Sequence, residues 1–224
     1  MSKSGPLLML AFLLGAAAAR ATPTAASAAS FAAGPTAGER DEARAEPAVG
    51  GPQEPPVETV RRLCEARKAL DAVQMDALIA DDYQAEQPDG SKISYDRSRG
   101  RQTADWERVM GTRWDYRVLG VDGNAVTVLL TEQSAYFDLL GIGTRTQVTV
   151  YFADRGKVSG SLSKLDVQEH GSQSKEFRRF HAWLLEQLEQ PEPDLVGPDG
   201  RLIFDGKGAA RMLPWLAKWH AAQN

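Results

Sequence analysis

The chain has 224 residues, of which 42% are hydrophobic and 25% charged, and its formal net charge is −4. An acidic chain argues against non-specific nucleic-acid binding, which needs a concentrated basic surface. The single cysteine can form neither an internal disulfide nor a cysteine-based zinc site. We therefore expect no nucleic acid among the partners of this protein.

The first 21 residues have the organisation of a cleaved secretory signal peptide. Lys3 supplies a basic start, residues 6–19 form an uncharged apolar run, and Ala19-Arg20-Ala21 offers small residues at the two positions that a signal peptidase reads. A transmembrane anchor needs about 20 apolar residues, more than this run contains. We predict a protein exported to the periplasm or out of the cell, with no stable membrane insertion after signal cleavage.

Residues 22–56 are predicted to form a disordered linker. The stretch is rich in Ala, Pro, Gly, Thr and Ser, and Phe31 is its one aromatic residue. Such a composition buries too little apolar surface to offset the entropy lost when the backbone is ordered. Residues 57–224 remain as a single domain, in which 169–224 form a C-terminal helical extension.

Helical spacing of apolar residues opens this domain. The expected elements are a helix over about 57–73, a short helix ending at Asp81-Asp82, a brief strand over 83–86 and a helix over about 101–110. Gln87-Pro88-Asp89-Gly90 is a strong turn signal after the strand. Cys64 falls on the apolar side of the first helix, so we predict a core residue rather than a reactive thiol.

After residue 110 the hydrophobic period changes from helical spacing to two, which indicates strands. Four strands are expected over 114–118, 125–136, 144–153 and 157–168, and short turns join them into an antiparallel meander. One face of the meander must be covered, and the preceding helices are the obvious cover. The predicted fold class is α+β.

The C-terminal extension is unusually aromatic. Its expected elements are a helix over about 173–189, a short strand at Leu202-Ile203-Phe204, and a helix over about 208–222 in which Pro214 marks a start or a kink. We expect it to pack on its own domain. A cap over a pocket and a homodimer surface are the alternatives.

This order of elements resembles the nuclear transport factor 2-like superfamily, which includes SnoaL-like cyclases and ketosteroid isomerases. The resemblance is carried by residues 75–82 (MDALIADD), by the turn at 87–90, and by Arg99-Gly100-Arg101 leading into the helix of Trp106. It implies a cone, in which helices pack on a strongly curved antiparallel sheet and a pocket lies at the open end.

The resemblance implies the fold more strongly than the isomerase reaction. In ketosteroid isomerases of this superfamily, a carboxylate just before a proline shuttles a proton. The matching position here is Gln87, before Pro88. An amide cannot act as a general base near neutral pH.

Glu132 is the best candidate for a catalytic residue. Counting by two along its strand places it on one face with Val126, Val128 and Leu130. If it is buried, its pKa rises toward the range useful for acid–base chemistry, with Tyr136 as a helper. The alternative is a residue at the rim of the sheet, in solvent.

Four aromatic residues are the expected lining of the pocket: Trp106, Tyr136, Tyr151 and Phe152. Large rings with a polar handle suit an amphipathic ligand, although each ring could instead belong to the core. The sequence has no zinc-peptidase, phosphate-loop or serine-hydrolase motif, so we expect neither a metal nor a cofactor.

These features favour an exported, non-catalytic protein that binds a small apolar or amphipathic ligand in its cone. One alternative is a SnoaL-like acid–base enzyme of the isomerase, cyclase or dehydratase type that uses Glu132. A second alternative is a homodimeric interaction module.

Overall fold

A computed structural model describes residues 54–86, 90–164, 167–188, 192–198 and 200–223. The predicted signal peptide and nearly all of the predicted linker lie outside these ranges. So do Gln87, Pro88 and Asp89 of the predicted turn. No helix within the described ranges is long and apolar enough to cross a membrane.

Two helices open the described part of the chain: α1, Pro56–Lys68, and α2, Ala72–Leu78. Between them Leu70 adopts a left-handed backbone conformation with a φ of 52°. The N–H of Asp71 donates to the carbonyl of Ala66, which ends α1. The predicted single helix over 57–73 is therefore too long, and Val73, the last residue of that predicted helix, is 73% exposed.

The next elements are β1, Ile79–Glu86, β2, Lys92–Ser94, and α3, Arg97–Val109. The prediction that a helix ends at Asp81-Asp82 is wrong, because strand structure begins directly where α2 ends and both residues lie in β1. α3 begins before the predicted residue 101. Its start is set by Asp96, whose side chain accepts hydrogen bonds from the N–H groups of Ser98 and Arg99.

Four strands form the predicted meander: β3, Arg113–Asp122, β4, Ala125–Gln133, β5, Arg145–Asp154, and β6, Lys157–Lys164. β4 does not continue to Tyr136 as predicted. The Ser134 side chain accepts a hydrogen bond from the N–H of Phe137 and caps a short helix, α4, Ala135–Leu139. Tyr136 therefore lies on a helix and not on the strand of Glu132.

All six strands form one sheet in the order β2-β1-β6-β5-β4-β3. β1 runs parallel to β6, a pairing that the sequence did not predict, and the other neighbouring pairs are antiparallel. Register shifts in three of the strand pairs bend the sheet. The result is the expected cone, with its concave face closed around α1.

Apolar side chains of α1 and of the concave face make the first of two cores. We call it the cone core, and it includes Val60, Leu63, Cys64, Ile79, Tyr83, Trp114, Val126, Val128, Leu130, Tyr151 and Val158. Alternation along β4 puts Val126, Val128 and Leu130 on this face, as the period of two predicted.

The C-terminal extension consists mainly of α5, Val167–Gln187, and α6, Gly206–Gln223. The predicted strand at 202–204 is reduced to an isolated bridge between Val196 and Leu202. Pro214 lies inside α6 rather than at its start. α6 packs against α3 and α4, so the extension packs on its own domain.

A second core lies beneath these C-terminal helices. We call it the C-terminal core, and it includes Trp106, Met110, Tyr136, Phe177, Phe180, Leu184, Met212, Leu216 and Trp219. Trp106 belongs to α3, which therefore separates the two cores: one side of this helix faces α6 and another faces the interior of the cone.

Candidate functional site

A cavity lies inside the cone, between α1, α2, α3 and the concave face of the sheet. The space open to the centre of a water molecule is about 40 Å³, room for about three waters at roughly 10–15 Å³ each. Leu63, Cys64, Met75 and Ile79 contribute its apolar wall. The polar wall comes from Arg67, Glu107 and three tyrosines.

Glu107 places a carboxyl group in this cavity. It lies on α3, and the residue is 5% exposed. Burial raises its pKa from the ordinary value of 4.5 to about 7, against the opposing charge of Arg67; the charge of Glu132 adds to the rise. The Trp114 indole interacts with the carboxyl and lowers its pKa, although the contact falls short of full hydrogen-bond geometry. A group with this pKa can hold or release a proton near neutral pH.

Arg67 places a cation in the same cavity. It lies one turn after Leu63 and Cys64 on α1, and it is 9% exposed. Its guanidinium carbon lies 3.9 Å from the centre of the Trp114 ring, a cation–π contact. Within the described ranges, no carboxylate lies within 4 Å of this guanidinium, and its buried Nε has no hydrogen-bond partner.

Three tyrosine hydroxyls border the cavity. The Tyr83 hydroxyl is 2.6 Å from Oγ of Ser161, a buried hydrogen bond to β6. Burial raises the pKa of Tyr151 to about 12, although the charge of Arg67 and its interaction with the Tyr151 hydroxyl both lower it. Burial also raises the pKa of the Cys64 thiol to about 12. These groups are therefore neutral at physiological pH and can offer hydrogen bonds or apolar contact, but not an anionic nucleophile.

The third tyrosine, Tyr95, is held at the wall by α2 and α3. Its hydroxyl donates to Oδ1 of Asp76 over 2.6 Å. Oδ2 of the same buried carboxylate accepts from Nε and Nη2 of Arg101, at 3.3 and 3.2 Å. Gly100 makes room for the ring, because a Cβ there would lie 2.5 Å from the Tyr95 hydroxyl. Asp76, Gly100 and Arg101 all belong to the segments that carried the family resemblance, so those segments build one wall of the cavity.

The structure separates the four predicted lining residues. Tyr151 lines the cavity. Trp106 and Tyr136 instead lie in the C-terminal core, where their rings meet edge to face at 5.7 Å. Phe152 follows Tyr151 along β5, so its side chain points to the opposite, convex face of the sheet and is half-buried there.

Glu132 is buried, but it is already paired. It sits in a cross-strand row between Trp114 on β3 and Arg145 on β5. Nη2 of Arg145 lies 2.5 Å from its Oε2, and both side chains are at most 10% exposed. This contact is an ion pair without the alignment of a hydrogen bond. Glu132 raises the pKa of the buried Tyr136 hydroxyl, which adds to the larger effect of burial. Glu132 is not among the residues that line the cavity, so its carboxylate has no direct route to a ligand there.

Metal ligands are not assembled in the described part of the chain. No group of three or more His, Cys, Asp or Glu side chains there is close enough to hold a metal ion. The ionisable groups of opposite charge that line the cavity are the guanidinium of Arg67 and the carboxyl of Glu107. This set suits hydrogen bonding, charge pairing and proton transfer.

Comparison with known proteins finds no matching family model and no matching curated protein. Among solved structures, the chain is similar to a cystatin-fold protein from Novosphingobium aromaticivorans (15% identity, 49% of this chain and 97% of that one, TM-score 0.41). It is also similar to a nuclear transport factor 2-like protein from Burkholderia pseudomallei (19% identity, 51% and 93%, TM-score 0.40). A third is an epoxide hydrolase of M. tuberculosis described as LEH-like (21% identity, 59% and 96%, TM-score 0.39).

The described part of the chain forms an α+β cone, and its element order and curved sheet agree with the architecture that the resemblance implied. Similarities at this level of identity carry no argument about activity or ligand. The site must therefore be judged on the residues that line this particular cone.

Sequence reasoning missed both charged residues of the cavity. Arg67 continues the buried stripe of Val60, Leu63 and Cys64 at helical spacing, so the pattern placed a charge on an apolar face. Glu107 follows Trp106 directly on α3. A charged residue on a buried helical stripe was the available signal, because a buried charge is costly unless it is paired or used.

Proposed function

We propose that this protein binds a small amphipathic molecule in the cavity of its cone. The observation that carries the proposal is the wall itself: an apolar side formed by α1, α2 and β1, and a polar side that contains the buried groups of Arg67 and Glu107. Ligand pockets typically combine an apolar lining with a few polar groups that fix orientation. Burying two charge-bearing groups that no ion pair joins is costly for a purely structural core.

The size of the cavity limits what can enter it. About 40 Å³ open to water centres accepts a small molecule or one end of a longer one. A bulkier ligand must displace a wall residue. Tyr95 is the residue placed to move, since it is only partly buried and a single hydrogen bond to Asp76 holds its hydroxyl.

Export remains part of the proposal. The basic start, apolar run and Ala19-Arg20-Ala21 site support cleavage after Ala21. The full chain should be produced in a Gram-negative host and the mass of the purified protein measured. We expect a polypeptide that begins at Thr22 in the periplasmic or secreted fraction. An uncleaved chain that begins at Met1 in the cytoplasm would exclude export.

Native mass spectrometry of the purified full-length product tests ligand binding. We expect a mass above that of the polypeptide, lost on denaturation, or uptake of small aromatic molecules from an added panel. Ala104→Leu fills the cavity from α3, because Ala104 is a buried wall residue. Gln102→Leu is the matched control on the exposed side of the same helix. Binding that is absent in the wild type, or unaffected by Ala104→Leu, would rule out this cavity as the site.

An acid–base enzyme is the second candidate, and Glu107 favours it. Glu107 replaces Glu132 as the proposed proton-transfer residue, because it lines the cavity and its pKa is raised to about 7. In the simplest reaction, the ionised carboxylate removes a proton from a carbon beside a carbonyl group and returns it. Proton NMR of the bound ligand in D₂O tests this: catalysed exchange that Glu107→Gln abolishes supports the enzyme, and exchange at the uncatalysed rate excludes it.

A further inference from the structure

We propose that the ligand of the cone cavity carries a carboxylate group and that Arg67 recognises it. This inference rests on the proposed binding function and adds the chemical class of the ligand. Its basis is a buried guanidinium that faces the cavity while lacking a countercharge of its own.

The contrast with Arg145 shows how unusual Arg67 is. Both arginines are buried, at 6% and 9% exposure. Arg145 has a carboxylate at 2.5 Å, that of Glu132. Arg67 has none within 4 Å in the part of the chain that the structure describes. Buried charges are ordinarily paired, so an unpaired one beside a cavity points to a partner that arrives with the ligand.

The contact with Trp114 orients the Arg67 side chain. The guanidinium carbon lies over the indole ring at 3.9 Å, which occupies one face of the guanidinium plane. A stacked guanidinium keeps the N–H groups along its edge available for hydrogen bonds. The Tyr151 hydroxyl interacts with this guanidinium, while the buried Nε has no hydrogen-bond partner. An edge of this kind matches the two oxygens of a carboxylate, with which arginine makes paired hydrogen bonds.

Glu107 forms no ion pair with Arg67, although the charge of Arg67 lowers the pKa of its carboxyl. Its carboxyl lies in the same cavity but beyond 4 Å from the guanidinium, since no ion pair joins the two residues. Burial favours its neutral form. In that form it can donate its own proton to an oxygen of the ligand.

One unpaired cation selects a singly charged ligand. The charge of Arg145 is already matched by Glu132, and Arg101 is held by Asp76 on the outer side of Tyr95. A dianionic phosphate would therefore leave one negative charge buried near Glu107 and Glu132 without a partner. A monocarboxylate with an apolar body is matched by Arg67 at one end and by the Leu63, Met75 and Ile79 wall at the other.

Binding of such a ligand should be coupled to proton uptake. The charged groups that act on Glu107 are Arg67 from α1, Glu132 from β4 and Arg145 from β5; Asp76 from α2 is engaged by Arg101. Of these charges, that of Arg67 most favours the ionised form of Glu107. A ligand carboxylate bound to Arg67 cancels this charge. The pKa of Glu107 then rises further, so carboxylates bind more tightly at pH 6 than at pH 8, and neutral ligands do not.

Matched pairs of small molecules test the inference. The probes are acetate with acetamide, propionate with propionamide, and benzoate with benzamide, titrated by NMR into the full-length protein at pH 6. The first two pairs suit a cavity of about 40 Å³, and the third requires Tyr95 to move. We expect each carboxylate to bind on the order of 10- to 100-fold more tightly than its amide. Arg67→Met should remove this preference. Arg61→Met, at an exposed position of the same helix, should keep it.

Each outcome has a defined meaning. Equal binding of acids and amides overturns the carboxylate inference but leaves the proposed binding function standing. No binding of any probe contradicts both. A preference that survives in Arg67→Met excludes Arg67 as the recognising residue. If that variant fails to fold, Arg67→Gln and Arg67→Lys replace it: Arg67→Gln removes the charge, so a preference that survives in it overturns the inference. Arg67→Lys keeps the charge but not the paired geometry, so an intermediate preference in it supports the inference.

Discussion

The guanidinium of Arg67 on α1 stacks on the indole of Trp114 on β3, with 3.9 Å between the guanidinium carbon and the ring centre. The contact joins the first helix to the edge strand of the cone. It also fixes a cation at the boundary between an apolar core and a cavity. A lysine would supply the positive charge there but could not stack a planar group on the Trp114 ring. The guanidinium group of Arg67 therefore matters as well as its charge.

Arg67→Met should leave the folded state about as stable as the wild type. The substitution loses a cation–π contact worth about 0.5–2 kcal/mol. It also removes a buried charge that has no carboxylate partner in the described residues, which offsets that loss. We expect the free energy of unfolding in urea to change by about 1 kcal/mol or less.

Arg145→Met is the matched comparison, because it breaks a buried ion pair. It should lose about 3–5 kcal/mol by leaving Glu132 uncompensated. A loss of that size in Arg67→Met as well would show that Arg67 has a structural countercharge. Arg67 could then not be distinguished, as a ligand-binding residue, from the structural Arg145.

The Glu132–Arg145 pair should behave as one unit. Arg145→Met and Glu132→Leu each leave an unpaired buried charge, whereas the double variant leaves none. We expect the double variant to be more stable than either single variant, with a coupling energy of about 1–3 kcal/mol in a double-mutant cycle. Losses that simply add would contradict a direct pair.

Glu107 should make stability fall as the pH rises. The unfolded carboxyl ionises near 4.5, while the folded one keeps its proton until about 7. The folded state therefore binds more protons between these values, and stability declines across that window. The total loss in the free energy of unfolding across this window is about 3 kcal/mol, at roughly 1.4 kcal/mol for each pKa unit.

Glu107→Gln should remove this slope. Compared with the wild type, the variant should be equally stable below pH 4.5 and more stable by about 2–3 kcal/mol at pH 8. Urea denaturation of both proteins at pH 4, 6 and 8 gives the difference directly, since all other titrating groups are shared. A constant difference across this range would show that Glu107 ionises at its ordinary pKa.

Local periodicity predicted much of the cone but not its closure. Alternation of apolar residues along 125–133 gave the inward face of β4, and turn residues gave the meander. The parallel pairing of β1 with β6 joins segments about 80 residues apart in sequence and leaves no local signal. A single side-chain cap, Ser134, was enough to end β4 early and move Tyr136 onto a helix.

The candidate site was harder to predict for the same reason. Tyr151 lines the cavity, but the chemistry comes from Arg67 and Glu107, which lie on two different helices. Sequence periodicity can place each residue on a buried face. It cannot show that Glu132 has Arg145 as a partner while Arg67 lacks one, because pairing depends on which strands and helices meet in space.

Gly100 and Tyr95 should be energetically coupled at the wall of the cavity. A Cβ at residue 100 would lie 2.5 Å from the Tyr95 hydroxyl and 3.1 Å from Cζ of the same ring. Gly100→Ala must therefore displace the ring and break its hydrogen bond to Asp76. The alanine gains up to about 1 kcal/mol of helix propensity, so we expect a net loss of about 1–2 kcal/mol.

Tyr95→Phe removes the hydroxyl that Gly100→Ala meets first. In that background the alanine should cost less, by about 1 kcal/mol, because only the weaker contacts with the ring carbons remain. The four proteins of this cycle can be compared by urea denaturation. A cost of Gly100→Ala that is the same with Tyr95 and with Phe at this position would mean that the ring does not rest on Gly100. Tyr95 would then have to be held at the wall by the Asp76 carboxylate and by the edge-to-face contact of its ring with Tyr83.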